Sequence, residues 1–191
     1  IGYPIFGPKV ENITGLEHLP RKGGFIIAAN HVDWLDGFYI AVALGRRRNI
    51  PVYFLTKSNY YRWTTLALQI PRQKSAIVDQ AVQYLKSGKV ICNFPEGQRN
   101  TGKRLLPGRT GTVRMAIAAD VPIVPLGITC SPGKNMAQSL VYLMSNRHPV
   151  RLAIGRPLAV TAPDGEITAD YLTAMTEQLM RAIAPLAGKT L

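Results

Sequence analysis

His31 and Asp36 stand five residues apart in Asn30-His31-Val32-Asp33-Trp34-Leu35-Asp36-Gly37, and the chain holds only three histidines. A carboxylate on one imidazole nitrogen fixes the tautomer and leaves the other nitrogen to take a proton. Such a base acts directly on an alcohol brought by a substrate, with no serine or cysteine to be acylated. Residues five apart within one helix lie about 140° apart around its axis, so the pair meets only if His31 precedes the helix and Asp36 sits in its first turns. Taken alone, the octapeptide reads equally as the polar start of a helix, with Asp33 as cap and Asp36 in solvent. His18 and His148 have less context and read as loop or surface residues.

A second group is Asn93-Phe94-Pro95-Glu96-Gly97-Gln98-Arg99-Asn100. Pro95 stiffens the chain, and Gly97 permits a turn or a close backbone approach. Arg99 can grip a phosphate with two donors. Glu96 could orient that guanidinium or bind a substrate hydroxyl. Lys57, Arg72 and Arg109 could enlarge an anion site, although each alone reads as a solvated charge. Gly108-Arg109-Thr110-Gly111 opening a helix offers converging N–H groups to an anion. Neither a nucleotide P-loop nor a GxGxxG fingerprint is present. Cys92 and Cys130 lie in apolar stretches, lack metal-ligand spacing and read as buried thiols of a reducing compartment; no metal is expected.

These groups need a scaffold, and the chain supplies short β-type runs alternating with helical ones. Residues 24–29, 51–55, 90–94, 121–129 and 150–154 read as strands. Residues 36–45, 60–70, 75–85, 112–119 and 168–184 read as helices. His31 and Glu96 each follow a strand, the end at which α/β sheets commonly place binding groups. The alternation predicts an α/β fold, with a largely parallel or mixed central sheet flanked by helices. No internal repeat or long Pro/Gly linker divides the chain, so residues 1–191 are expected to form a single domain.

The 191 residues are 47% hydrophobic, which argues against disorder. Lys plus Arg number 23 against 11 Asp plus Glu, a formal net charge of +12. That balance favours anionic partners: nucleic acid, lipid headgroups or phosphorylated substrates. Arg46-Arg47-Arg48 fits a lipid or nucleic-acid contact as well as a solubilising loop, and the aromatic stretch 59–68 fits an interfacial helix as well as core. No run approaches the roughly 18 uninterrupted apolar residues of a spanning helix. The opening IGYPIFGPKV lacks the order of a signal peptide.

With His31, Asp36, Glu96 and Arg99 together, the sequence resembles the glycerolipid acyltransferase family, which includes the lysophosphatidic acid acyltransferases. Asn30, His31 and Asp36 match its first motif, and Phe94-Pro95-Glu96-Gly97-Gln98-Arg99-Asn100 its third. Leu68-Gln69-Ile70-Pro71-Arg72 looks like the second and Val121-Pro122-Ile123-Val124-Pro125 like the fourth. Thr14-Gly15-Leu16-Glu17-His18-Leu19-Pro20 resembles the family's lead-in. Three positions depart from the pattern: Asp33 stands where Ser is frequent, Gln98 for Thr and Asn100 for Ser. The family's hydrophobic N-terminal helices have no counterpart here, so attachment would rest on basic and apolar surface or on residues preceding Ile1.

The resemblance implies acyl transfer from a coenzyme A or acyl-carrier-protein thioester to the hydroxyl of a lysophospholipid, 1-acyl-glycerol-3-phosphate first among them. His31 would be the general base and Asp36 its orienting carboxylate. Arg72 and Arg99 would hold the acceptor phosphate, with Glu96 and Gly97 supporting that site. Lys57 and Arg109 would extend the anion site, and Pro122 and Ile123 would shape the acyl-donor side. No bound cofactor is implied. The partner would be a membrane surface carrying the lysolipid, met peripherally on its cytoplasmic face. Rival readings are a non-glycerol acceptor, a thioesterase or lipid hydrolase in which His31 activates water, and a basic nucleic-acid-binding domain. No recognition-helix pattern supports the last.

Overall fold

Phe25-Ile26-Ile27-Ala28-Ala29 has no polar face to offer water, and in the structure, a computed structural model, all five residues are buried in the middle of a sheet. The structure describes residues 3–56, 67–69, 74–145, 147–162 and 166–191. The strands among these residues are β1 (Val10–Thr14), β2 (Phe25–Ala29), β3 (Val52–Thr56), β4 (Ala67–Gln69), β5 (Val90–Asn93), β6 (Ile123–Thr129) and β7 (Val150–Ile154). The α-helices among the described residues are α1 (Tyr3–Phe6), α2 (Asp36–Arg48), α3 (Lys74–Lys86), α4 (Gly111–Ala119), α5 (Met136–Met144) and α6 (Ala169–Leu186).

The strand order is β1-β7-β6-β2-β5-β3-β4. Every neighbouring pair is parallel except β6 and β7. The fold is therefore the mixed, largely parallel α/β sheet expected from the sequence. Side chains alternate along each strand, so the two faces carry separate cores. Ile26, Ala28, Ile91 and Ile123 pack with Leu85 of α3, Met115 of α4 and Leu179 and Ile183 of α6. Phe25, Ile27, Cys92, Val124 and Leu126 pack with Tyr39, Ile40 and Leu44 of α2 and Leu143 of α5. Because β2 lies between β5 and β6, their three carboxyl ends open side by side on one edge.

Two departures from the sequence reading concern edges. The expected helix over 60–70 is corrected at Ala67–Gln69, which forms β4 and pairs with Phe54, Leu55 and Thr56 of β3. Parallel pairing satisfies backbone groups that β3 would otherwise expose at the sheet edge, and this outweighs the segment's helical character. The remainder of 60–70 lies outside the described residues. On the opposite edge, β1 was not anticipated: VENIT has a mostly exposed pattern, and only its parallel pairing with β7 makes it a strand. Among the described residues, no helix is long and apolar enough to cross a membrane.

Lys9, just before β1, is 6% exposed, and its Nζ is buried without a hydrogen-bond partner among the described residues. Burial pushes its pKa down. Lys9→Met keeps the stem and removes the buried cation, and should stabilise the fold by about 1–2 kcal/mol in urea denaturation at neutral pH. The folded pKa lies below the unfolded one, so the unfolded chain binds more protons, and wild-type stability rises with pH between the two. The advantage of Lys9→Met should therefore narrow at alkaline pH. An unchanged or lowered midpoint at neutral pH would show that the ammonium costs nothing where it sits.

Candidate active site

The site begins with an amide that stands in for a peptide. β2 ends at Ala29, and Asn30 extends its pairing with β6 through the side chain: Nδ2 donates to the Ile128 carbonyl at 3.0 Å, and Oδ1 accepts from the Ile128 N–H at 2.7 Å. The strand is anchored to its last residue, and His31 follows at the open edge.

Asp36 is the first residue of α2, and His31 precedes that helix, the arrangement the spacing required. His31 Nδ1 donates to Asp36 Oδ2 at 2.9 Å. The same oxygen accepts from the N–H groups of Val32 at 2.6 Å and Asp33 at 2.9 Å. Oδ1 is buried without a hydrogen-bond partner among the described residues, so the polar contacts gather on the oxygen that meets His31. Burial pushes the Asp36 carboxyl up; the bond and charge of His31 and the two backbone donors pull the other way. The carboxylate is fully buried, whereas the His31 side chain keeps 24% of its surface. No protein partner of His31 Nε2 is found among the described residues.

The Phe94–Asn100 loop fixes the imidazole from the other side. The Phe94 ring stacks on it at 4.3 Å between centroids. Glu96 Oε1 accepts from the His31 N–H at 3.3 Å, and the Asn100 N–H donates to the His31 carbonyl at 2.6 Å. Glu96 Oε2 accepts from Asn100 Nδ2 at 2.6 Å and the Leu106 N–H at 2.9 Å. Glu96 is thus a buried bracket between the loop and His31, and its bonds go to His31, Asn100 and Leu106 rather than to the Arg99 guanidinium. Asn100, which departs from the family pattern, completes that bracket.

Arg99 turns outward. Its guanidinium donates to the carbonyl of Gly133 at 2.6 Å, more weakly to that of Lys134 at 3.4 Å, and lies 4.8 Å above the Trp34 ring. A guanidinium has five N–H donors, so Arg99 retains capacity for an anion. Gly97 has φ +70°, and a Cβ there would lie 2.4 Å from Arg109 Nε. The missing side chain is what lets Arg109 lie across the loop. The Arg109 N–H also donates to the Pro95 carbonyl at 2.8 Å, bringing the start of α4 to the same edge.

His31, Asp36, Glu96, Gly97, Arg99 and Arg109 are therefore brought together. Pro122 and Ile123 are not. Ile123 opens β6 and is buried in the core, and the Pro122 carbonyl accepts from Ile26 N–H. Ile128 lies five positions beyond Ile123 along β6, roughly 17 Å along the sheet, so Pro122 and Ile123 sit at the opposite end of β6 from the edge that carries His31. Lys57 and Arg72 lie outside the described residues. Asp33 is also not a second carboxylate on the imidazole. Its Oδ1 accepts from the Leu35 N–H, and Oδ2 from the Gly133 N–H at 2.9 Å and Ser139 Oγ at 2.6 Å.

Lys189 was missed by sequence reasoning. Its Nζ donates to the Asn100 carbonyl at 2.6 Å. The neighbouring Thr190 N–H donates to the Lys103 carbonyl, the Leu105 N–H to the Thr190 carbonyl, and Arg104 Nε to the Leu191 carbonyl. This clasp joins segments nearly ninety positions apart, and no local pattern signals it. Burial pushes the thiols of Cys92 and Cys130 up, which keeps them protonated and poor as nucleophiles. Among the described residues, no three His, Cys, Asp or Glu side chains are grouped to hold a metal ion.

Comparison with known proteins agrees with this geometry. Residues 11–129 match the Acyltransferase family model. The chain is 32% identical over 143 residues to the 1-acyl-sn-glycerol-3-phosphate acyltransferase of Salmonella typhimurium, covering 69% of this chain and 57% of that one. It is 31% identical over 145 residues to the protein of the same name from Escherichia coli K12, again covering 69% and 57%. The chain thus spans a little over half the length of these relatives. The crystal structure of the 1-acyl-sn-glycerophosphate acyltransferase PlsC from Thermotoga maritima has the same fold, with a TM-score of 0.59 and 23% identity over 90% of this chain and 70% of that one.

Asp33→Ala removes the acceptor that ties the loop after β2 to Gly133 and Ser139, leaving buried donors unpaired. It should cost about 2–4 kcal/mol in chemical denaturation. A loss below about 0.5 kcal/mol, within the range of an ordinary surface substitution, would mean that the tie is not a stabilising one.

Proposed function

The chain belongs to the acyltransferase family, and on that premise we propose that it moves a fatty acyl group from a thioester to the free hydroxyl of a lysophospholipid. The donor is acyl-coenzyme A or acyl carrier protein, and the preferred acceptor is 1-acyl-glycerol-3-phosphate. One observation carries the reading: a histidine tied through Nδ1 to a buried carboxylate, at the open edge of the sheet, with no hydroxyl or thiol among the described residues bonded to its other nitrogen. That is a base awaiting a substrate alcohol.

In the proposed reaction His31 Nε2 takes the proton of the acceptor hydroxyl as its oxygen attacks the thioester carbonyl. The C–O bond forms, the tetrahedral intermediate collapses, and the C–S bond breaks. The departing sulfur takes the proton back from the imidazolium, leaving an ester and a thiol. Asp36 holds the reactive tautomer and stabilises the imidazolium between the two proton transfers. Glu96 and Asn100 keep the His31 backbone in place, so the base loses little freedom on reaction.

Arg99 and Arg109, with the amides at the start of α4, form the cationic side on which the acceptor phosphate is proposed to rest. Arg72 and Lys57 remain candidates for the same role. The names of the relatives support the acceptor class, and the protonated cysteines favour direct transfer over an acyl-cysteine intermediate.

In an assay with both donor types and a panel of lysolipids, His31→Ala should lower kcat/KM by about three orders of magnitude in a folded protein. Asp36→Asn should lower kcat by roughly a hundred- to ten-thousandfold. Thiol release independent of any acceptor in the wild type would point instead to a hydrolase. Arg99→Ala should raise the KM of a phosphate-bearing acceptor by roughly ten- to a hundredfold, and the penalty should disappear with an acceptor lacking the phosphate. An equal penalty on both acceptors would remove Arg99 from phosphate binding.

A further inference from the structure

Helix α5 turns the wrong face to water. Ser139 and Leu143 are buried, while the solvent side carries Ala137, Leu140, Val141 and Met144 in the i, i+3, i+4, i+7 spacing of one continuous stripe. Leu140 is 47% exposed, Val141 64% and Met144 81%. Seven large apolar side chains are exposed among the described residues; three are these, and a fourth is Trp34 at 43%. Trp34 belongs to the same rim, because its neighbour Asp33 grips Ser139 Oγ and the Gly133 N–H, and Arg99 above its ring holds the Gly133 and Lys134 carbonyls.

The position and charge of the stripe identify what it meets. α5 joins the carboxyl end of β6 to β7, so it stands on the sheet edge that carries His31. Exposed Lys134 and Arg147 bracket it, and no Asp or Glu occurs between Asp120 and Asp164. An apolar helical face flanked by cations, with an exposed tryptophan beside it, fits the interface of an anionic bilayer, where apolar side chains enter the acyl boundary and cations meet headgroups.

We infer that α5, with Trp34, is a membrane-docking element that seats the active-site edge on an anionic lipid surface. The inference rests on the acyl-transfer reading for its purpose: a lysolipid acceptor then reaches His31 from the bilayer without leaving it. Its physical content is lipid binding, and that is measured separately.

The triple variant Leu140→Ser, Val141→Ser, Met144→Ser is compared with the wild-type protein by co-sedimentation with phosphatidylcholine vesicles containing phosphatidylglycerol. The expected result is a loss of vesicle affinity of roughly ten- to a hundredfold. Transfer to a short-chain lysophosphatidate dissolved as monomer should be unchanged. Undiminished vesicle binding overturns the inference, as does a wild-type dimer in light scattering that the triple variant makes monomeric without losing vesicle affinity. Val141→Trp provides an independent readout if the triple variant does not fold: its fluorescence should shift to the blue on adding vesicles by more than that of the wild type. No additional shift overturns the docking face. A wild-type protein that binds vesicles through α5 but transfers no acyl group would sink the proposed function and leave the docking surface standing.

Discussion

Three N–H groups converge on one oxygen of Asp36: the imidazole of His31 and the backbone amides of Val32 and Asp33. The two amides bend the chain around the carboxylate, and the imidazole is caught in that bend. Because Asp36 also opens α2, the strand-to-helix turn, the tautomer of His31 and the start of the helix are settled by one buried atom. The other loops of the site hold on to this turn. Glu96 and Asn100 take both ends of the His31 peptide, and Asp33 reaches across to Gly133 and Ser139.

Sheet order explains why such a turn can be rigid and open at once. β2 has neighbours on both sides, so the chain leaving it starts from a fixed point that Asn30 carries one residue further. Beyond that point, among the described residues, the loops after β5 and β6 hold the turn, through Glu96 and Asn100 on one side and Gly133 on the other. A histidine after an edge strand would have one flank unsupported; here each flank has its own loop. The exposed quarter of the imidazole is what these loops leave uncovered.

How much of this was legible depended on the range of the forces involved. The strands 24–29 and 90–94 announce themselves by continuous apolar character, and the NHVDWLD spacing required the strand-to-helix switch that is found. Glu96 was placed at the right edge, but its partners are backbone groups of His31 and Leu106, which residue types do not reveal. α5 was missed because apolar residues run nearly all round it, so no buried face stands out in its pattern. β1 and β4 exist through pairing with β7 and β3, and local sequence carries little of that information. The strand that carries Pro122 and Ile123 was identified without its direction, so their distance along β6 from His31 was not legible. Asp33 could be read locally only as a cap, whereas its carboxylate also holds a segment a hundred positions away.

The clasp made by Lys189, Thr190 and Leu191 bears on when the site becomes complete. Arg104 and Asn100 find their partners 87 and 89 positions later in the chain. Synthesis proceeds from the N-terminus, so His31, Asp36 and Glu96 all emerge while the loop beside them still lacks its last tie. A nascent chain holds these three residues well before it holds them still, and the final geometry waits for translation to reach the end of α6 and the segment beyond it.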